Sequence, residues 1–224
     1  MKFNRIIVSA FVLVVSFTSL HAQYTDTLAQ RRGSSFDGYD FLVGYMQNEN
    51  FIQSSGLRLR LVIATNLPAR VTVQFPNGSA TPYTISRNST ISVVVPSVLE
   101  MRESEIARNN LVRVTSDVPV AVYAMNSQYT TSDSYAVIPV SNWGNSYTVL
   151  SMPNDAYGFA SDTAGIPPSE IRQSEFLVMA AEDNTDVDLV LTAASEGGIP
   201  AGVTRRVVLQ KGQCYLVKSA PIAP

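Results

Sequence analysis

LVIATNLPARVTV (61–73) reads like LVMAAEDNTDVDL (177–189), and a second pair of similar stretches follows, ISRNSTISV (85–93) and LQKGQCYLV (209–217). The first pair is offset by 116 residues (177 minus 61) and the second by 124 (209 minus 85). The additional residues fall in SEGGIPAG (195–202), a link rich in glycine and proline where a loop can absorb them. The pattern predicts a repeated β-unit, although short alternating strands also resemble one another by chance.

Each copy shows the period of two that is typical of a strand with one buried face. LRLRLVIA (57–64) alternates leucine or isoleucine with arginine or smaller residues, and ARVTVQF (69–75) alternates again before the turn PNGS (76–79). Strands of this kind recur every 8–12 residues, separated by turn signals, which indicates an antiparallel β-sandwich. We therefore expect an all-β, sandwich-like fold with one complete and one incomplete copy of the unit.

Three local patterns between the copies carry weaker expectations. Residues 96–110 have charges at helical spacing, which predicts a short surface helix or a structured loop. Residues 111–116 and 119–126 read as two strands broken at Asp117–Pro119, because proline is tolerated at the first residue of a strand. SYTVLSMP (146–153) reads as a further strand.

The N-terminus has the pattern of a secretory signal peptide. Lys2 and Arg5 precede an apolar stretch from Ile6 to Leu20, which is too short for a comfortable membrane span, and Ala22 is a small residue before the expected cleavage point. An uncleaved anchor is the alternative. No later segment is long and apolar enough to span a membrane, so we expect a secreted, extracellular or cell-surface protein.

The domain organisation follows from these patterns. Residues 1–22 are the signal peptide, and the polar residues 23–35 are a flexible lead-in. Residues 36–153 form the first β-sandwich unit, 154–175 a linker or long loop, and 176–224 a second, incomplete unit.

The composition of the mature chain excludes several partners. Without residues 1–22 it has 14 basic and 18 acidic residues, a net charge of −4, and its only lysines are Lys211 and Lys218. Nothing suggests a surface for nucleic acid or for an anionic membrane. One cysteine, Cys214, cannot form an internal disulfide, and its place in a predicted strand favours a buried apolar role over a reactive one.

The mature chain also lacks the residues of the common catalytic mechanisms. Its only histidine, His21, lies in the signal peptide, which excludes histidine-dependent triads and zinc sites. No glycine-rich phosphate loop is present. We expect no catalytic residues, no cofactor and no enzymatic activity.

An acidic cluster in EDNTDVD (182–188) is the one candidate for metal or acid chemistry. Asp183, Asp186 and Asp188 could hold a weak cation through oxygen ligands or hydrolyse a glycosidic bond. A hairpin turn is favoured, because Asp and Asn bond locally to the backbone there.

Aromatic residues in the loops offer candidate binding positions. Loops 127–134, 141–146 and 154–170 contain Tyr129, Trp143 and Tyr157, and aromatic side chains combine apolar area with a polar handle at interfaces. The alternative for Trp143 is a plug that closes its loop. These three residues are the predicted contacts with a partner.

Five stretches in order resemble the IgGFc-binding protein N-terminal domain: FLVGYMQN (41–48), RVTSDVPVAVYAMN (113–126), SDSYAVIPVSNWGNSYTV (132–149), EFLVMAAEDNTDVDL (175–189) and LQKGQCYLV (209–217). The resemblance covers roughly residues 36–218 and implies extracellular binding or adhesion rather than catalysis. It does not carry a residue set for antibody binding. The family continues into a second "kPvaV" segment, whereas this chain stops at Pro224, so we expect a fragment with an unpaired edge strand near 209–217 that can associate.

Three functions remain open on the sequence alone. The first is a non-enzymatic binding or adhesion module for an extracellular protein or glycoconjugate. The second is a ligand-free structural spacer of a larger surface protein. The third is a carbohydrate-active enzyme that uses Asp183 and Asp186.

Overall fold

Nearly every regular element in the described part of the chain is a β-strand, which confirms the predicted all-β class. The computed structural model describes residues 36–48, 56–128, 131–156 and 171–221, and these belong to one compact unit. The strands are β1 Asp37–Val43, β2 Tyr45–Met46, β3 Arg58–Thr65, β4 Ala69–Gln74, β5 Ala80–Ile85, β6 Ser89–Val95, β7 Glu100–Met101, β8 Ala107–Arg108, β9 Val112–Ser127, β10 Ser132–Ala136, β11 Asp155–Ala156, β12 Ile171–Arg172, β13 Glu175–Met179, β14 Thr185–Val190, β15 Thr204–Leu209 and β16 Cys214–Lys218.

Strands β3 to β6 form the first unit together with the long strand β9 and its partners β1 and β10. β3 pairs with β6 and β4 pairs with β5, both antiparallel. The first half of β9 pairs with β4 and the second half with β3, so that β9 joins the two pairs into one curled sheet in the order β5-β4-β9-β3-β6. β1 and β10 pair with β9 as well. Alternating inward residues of these strands make one apolar core, because successive side chains of a strand point to opposite faces.

The predicted break at Asp117–Pro119 is wrong. β9 is a single strand of 16 residues, and the irregularity lies within it: β1 advances from Gly38 to Asp40 while β9 passes from Val120 to Thr115, so β9 holds the additional residues. Pro119 has no backbone N–H to donate within the sheet, and the bulge in β9 allows the pairing to resume at Val120.

Strands β13 to β16 form the second unit and repeat the pairing of the first. β13 pairs with β16 as β3 does with β6, and β14 pairs with β15 as β4 does with β5. The hairpin turns before β6 and β16 also match, because Asn88 (φ 54°) and Gly212 (φ 81°) occupy the left-handed region at an offset of 124 residues. Glycine and asparagine tolerate that conformation better than other residues.

The structure corrects the alignment of the first strands of the two units. Leu61 faces Val93, and the equivalent of Val93 is Val217, which faces Phe176 rather than Leu177. The offset is therefore 115 in β3 and β13, and the turn from β13 to β14 holds one additional residue. A slip of one residue exchanges the two faces of a strand. Leu177 therefore points away from the core of its own unit.

The second unit packs against the first through that other face. Leu177 and Met179 join Leu42, Leu111 and Leu216 in a shared apolar cluster, while Phe176 and Val178 face β14 and β15 in a separate cluster. A Cβ atom placed on Gly44 would lie 2.4 Å from Leu177 Cδ2, so a larger residue there would displace the Leu177 side chain. All five residues of β16 are buried, because the strand is covered on both faces.

The expected unpaired edge near 209–217 is also wrong for β16. This strand lies between β13 and β8, with Cys214 opposite Arg108 and Tyr215 opposite Ala107 on its second edge. The structure does not test the domain boundaries proposed from the sequence, which stay a prediction.

Of two other local expectations, the structured loop is confirmed and the strand at 146–153 is wrong. Residues 96–110 form a structured loop with a short 3₁₀ turn at Ser97–Leu99 and the brief strands β7 and β8. Residues 146–153 form no strand, and Leu150 and Met152 are 94% and 81% exposed.

The described residues contain no helix of the length and apolar character that a membrane crossing requires. Residues 1–22, predicted to be a signal peptide, and residues 23–35 lie outside the described residues.

Candidate functional site

A small polar cleft lies where the second unit meets the end of β2. Its volume is about 110 Å³, and it is lined by polar or charged residues of four separate segments: Gln47, Asn48, Thr131, Arg172, Gln173, Glu175 and Lys218. The loop 127–134, which was predicted to bind a partner, contributes Thr131 to the lining. The loop 154–170, also predicted to bind a partner, lies shortly before Arg172 and Gln173 in the sequence. The fold thus brings together polar groups that are far apart in the sequence.

Lys218 is the central cation of the cleft. Lys218 is 5% exposed, and its ammonium group donates hydrogen bonds to the Arg102 carbonyl at 2.7 Å and to the side chain of Gln47. Burial lowers the pKa of Lys218 below its usual range, and the nearby Glu175 opposes this shift. A buried ammonium is stabilised only by acceptors of this kind.

Glu175 faces Lys218 across the β13–β16 pair. Opposite residues of an antiparallel pair point to the same side of the sheet, so the two side chains share the cleft. Burial raises the pKa of Glu175 to about 8, although Lys218 opposes the shift and Glu100 adds to it. Most of the Glu175 population is therefore protonated at neutral pH.

Glu100 supports the wall of the cleft. Its side chain is 1% exposed and accepts hydrogen bonds from Asn48 N (3.0 Å), Arg102 Nε (2.7 Å) and Asn126 Nδ2 (3.3 Å). These bonds fix the end of β2 against β9. Perturbed titratable groups in a cleft mark candidate functional sites, although structural networks perturb pKa values as well.

The sequence did not single out Lys218, Glu175 or Glu100 as site residues. Their meeting depends on the register of β13 against β16 and on the parallel pairing of β2 with β7. No local motif encodes either pairing. The only available signal was the scarcity of lysine among residues 23–224.

Of the three predicted aromatic contacts, only Trp143 lies in the described part. It is partly buried, packs on the cluster shared by the two units, and donates from Nε1 to the Ile138 carbonyl at 3.0 Å. This arrangement agrees with the plug alternative. Tyr129 and Tyr157 lie outside the described residues, and the role of all three in binding stays a prediction.

The aspartates of the acidic cluster have separate partners. Asp188 forms a bidentate salt bridge with Arg206, at 2.7 Å to Nε and 2.6 Å to the terminal nitrogen. The hydrogen bonds from Arg206 lower the pKa of Asp188. Asp183 accepts from the Lys211 amide at 3.1 Å, so it joins its own turn to the turn before β16 rather than bonding locally. Asp186 is exposed. Within the described ranges, no group of three His, Cys, Asp or Glu side chains is placed to hold a metal ion.

Cys214 is a free thiol in the shared core. Burial raises its pKa to about 11, and Sγ lies 3.5 Å from the Arg108 carbonyl. A thiol in this state is a packing group rather than a nucleophile.

Residues 133–221 match the family model described as IgGFc binding protein, which confirms the predicted resemblance over that range. The matched range contains β11 to β16, and therefore the whole second unit and most of the cleft lining. Neither the search of curated proteins nor the search of solved structures found a match. The family match supports a binding module of the extracellular type.

Proposed function

We propose that the chain is a secreted or cell-surface, non-enzymatic module that binds an extracellular protein or glycoconjugate through the polar cleft and the loops beside it. The observation that supports this most is the cleft, where Lys218 and Glu175 carry perturbed pKa values at a surface built by four segments. Holding charged groups in a partly desolvated cleft is unfavourable, and proteins commonly maintain such groups at binding sites.

The size of the cleft favours a macromolecular partner. A volume of about 110 Å³ is well below the roughly 300–1,000 Å³ of typical small-molecule pockets. One side chain or sugar of a larger partner fits such a space, with the remaining contacts made by the surrounding loops. The absence of histidine from residues 23–224 also supports a role without catalysis.

Binding of the mature chain, residues 23–224, to two immobilised probes tests the proposal: a purified immunoglobulin G Fc fragment, chosen for the family description, and a purified mucin. We expect saturable binding to at least one, with a Kd below about 100 μM. Arg172→Glu reverses a charge in the cleft lining and should weaken binding about tenfold or more. Arg87→Glu is the matched control, since Arg87 is exposed in the turn at the opposite end of the β3–β6 ladder.

Thermal unfolding of both variants checks that they remain folded. Absence of saturable binding to either probe would favour the structural spacer. Release of sugars from the mucin would instead favour the carbohydrate-active enzyme, and Asp183→Asn would then show whether the acidic cluster is responsible.

A further inference from the structure

A hollow lies on the outer face of the first unit, at the end of β3 remote from the polar cleft. Its volume is about 250 Å³, and residues of β1, β3, β6, β9 and the turns beside them line it. Asn126, which bonds to Asn48 of the cleft lining, faces Leu59, whereas the hollow lies beside Ala64, five residues further along β3. The two sites are therefore roughly 16 Å apart along the strand. We call this second site the outer hollow.

The register of four strands explains why the face is hollow there. Ala64 faces Thr90 of β6 and Ala121 of β9, and Ala121 in turn faces Asp37 of β1. Opposite residues of antiparallel strands point to the same side of the sheet, so these four side chains form one row across the outer face. The two alanines in the middle of the row are short, and their methyl groups form the floor of the outer hollow.

Hydrogen-bonding groups surround this apolar floor. Asn66 follows β3 and Asn88 precedes β6, and both residues line the outer hollow and are exposed. Each amide offers donors and an acceptor, the Thr90 hydroxyl offers both as well, and the Asp37 carboxylate accepts. Among the described residues that line the outer hollow, Asp37 carries the only charge, so the lining favours a neutral ligand with hydroxyl groups over an anion.

An exposed aromatic residue stands in the next row of the same face. Tyr123 lies two residues after Ala121 in β9 and faces Val62, two residues before Ala64 in β3. Residues two apart along a strand point the same way and lie roughly 6.6 Å apart, so Tyr123 is next to the outer hollow. Tyr123 is 42% exposed, which leaves part of its ring available for contact with a ligand.

We infer that the outer hollow is a carbohydrate site, which takes one neutral sugar ring of a glycan while Tyr123 contacts the next ring. A sugar has hydroxyl groups around its edge and apolar C–H groups on its faces, which matches an apolar floor surrounded by amide, hydroxyl and carboxylate groups. Pockets for drug-sized ligands measure roughly 300–1,000 Å³, so a volume of about 250 Å³ suits a smaller ligand of about one ring. This site is separate from the polar cleft and does not depend on the function proposed there.

A calcium ion is the alternative occupant, because Asp37, Asn66 and Thr90 all carry oxygen atoms. Calcium sites have about 6–8 oxygen ligands, and carboxylates are prominent among them. The described lining of the outer hollow has one carboxylate, which favours the sugar. The experiment must distinguish the two ligands.

The test is a nuclear magnetic resonance titration of the isotope-labelled chain, residues 23–224. The probes are methyl β-galactoside with lactose, and methyl β-N-acetylglucosaminide with diacetylchitobiose. We expect saturable shifts of the amide signals at residues 64–66, 88–90 and 121 with at least one sugar, with a Kd of about 1 mM. The disaccharide should bind about fivefold more tightly than the matching glycoside, because its second ring contacts Tyr123.

Matched variants of the protein locate the site. Ala64→Leu fills the floor of the outer hollow and should weaken binding about tenfold or more. Ser134→Leu should have no effect, since Ser134 is exposed on the same face, opposite Met125 and outside the hollow. Tyr123→Ala should remove only the advantage of the disaccharide over the glycoside.

Thermal unfolding checks that the variants remain folded. Asn88→Gly serves if Ala64→Leu does not fold, because glycine keeps the left-handed backbone of the turn (Asn88 φ 54°) and removes the amide. This variant should bind the sugar about fivefold more weakly.

Two results would overturn the inference. One is the absence of saturable shifts at these residues with all four sugars at about 50 mM, which together with a response to calcium chloride would assign the outer hollow to a cation. The other is unchanged sugar affinity in the folded variants Ala64→Leu and Asn88→Gly. Arg172→Glu changes the polar cleft and should leave the sugar titration as it is, so a failure of this site and a failure of the cleft are distinguishable.

Discussion

The two β-units share a pairing pattern but are stabilised in different ways. The first unit encloses its core with a long central strand, and its outer face carries exposed residues such as Arg60 and Val94. The second unit has no such strand among its described residues, and instead buries the outer face of β13 and β16 against the first unit. The comparison teaches that two copies of one pairing pattern can be stabilised on different faces: β9 closes the inner core of the first unit, whereas contact with the first unit covers the outer face of the second.

Removal of the Lys218 charge should have the largest effect, because it breaks the polar network at the junction of the two units. We expect Lys218→Met to lower the free energy of unfolding by about 3 kcal/mol, since the Arg102 carbonyl and the Gln47 side chain then lose their buried charged donor. Lys211→Met is the matched control, because Lys211 lies exposed in a turn and should change stability by less than about 0.5 kcal/mol. Urea denaturation measures both. Equal effects would show that the junction does not depend on Lys218.

A pair of valines sharpens the comparison of the two cores. Val71 and Val187 occupy equivalent positions, yet Val71 is 1% exposed while Val187 is partly buried. Loss of two methyl groups should cost about 2 kcal/mol in Val71→Ala and about 1 kcal/mol or less in Val187→Ala. Chemical denaturation of each variant gives the two values. Costs of the same size would mean that the second core is as closed as the first.

The sequence predicted the fold class and the repeat because both depend on local alternation, which short stretches record directly. It misjudged the register of β13 by one residue, since Leu177 and Phe176 are both apolar and each faces a different core. A strand that is buried on both faces loses the alternation that reveals its orientation. The polar cleft could not be predicted for the related reason that Glu175 and Lys218 meet only through pairing across 43 positions of sequence (218 minus 175).

The pH dependence of stability provides the finest test of the junction, and Glu175→Gln is the variant that isolates it. Glu175 has a pKa of about 8 in the folded state against 4.5 when exposed, so the folded chain holds a proton that the unfolded chain releases. Its contribution is therefore fully present below pH 4.5 and is lost as the pH rises through 8. Glutamine mimics the protonated side chain at every pH, so the variant should melt roughly 2–4 °C higher than the unaltered protein at pH 8.5 and at the same temperature near pH 4.5. A melting difference that does not depend on pH would show that Glu175 is charged in the cleft, with Lys218 as a full ion-pair partner.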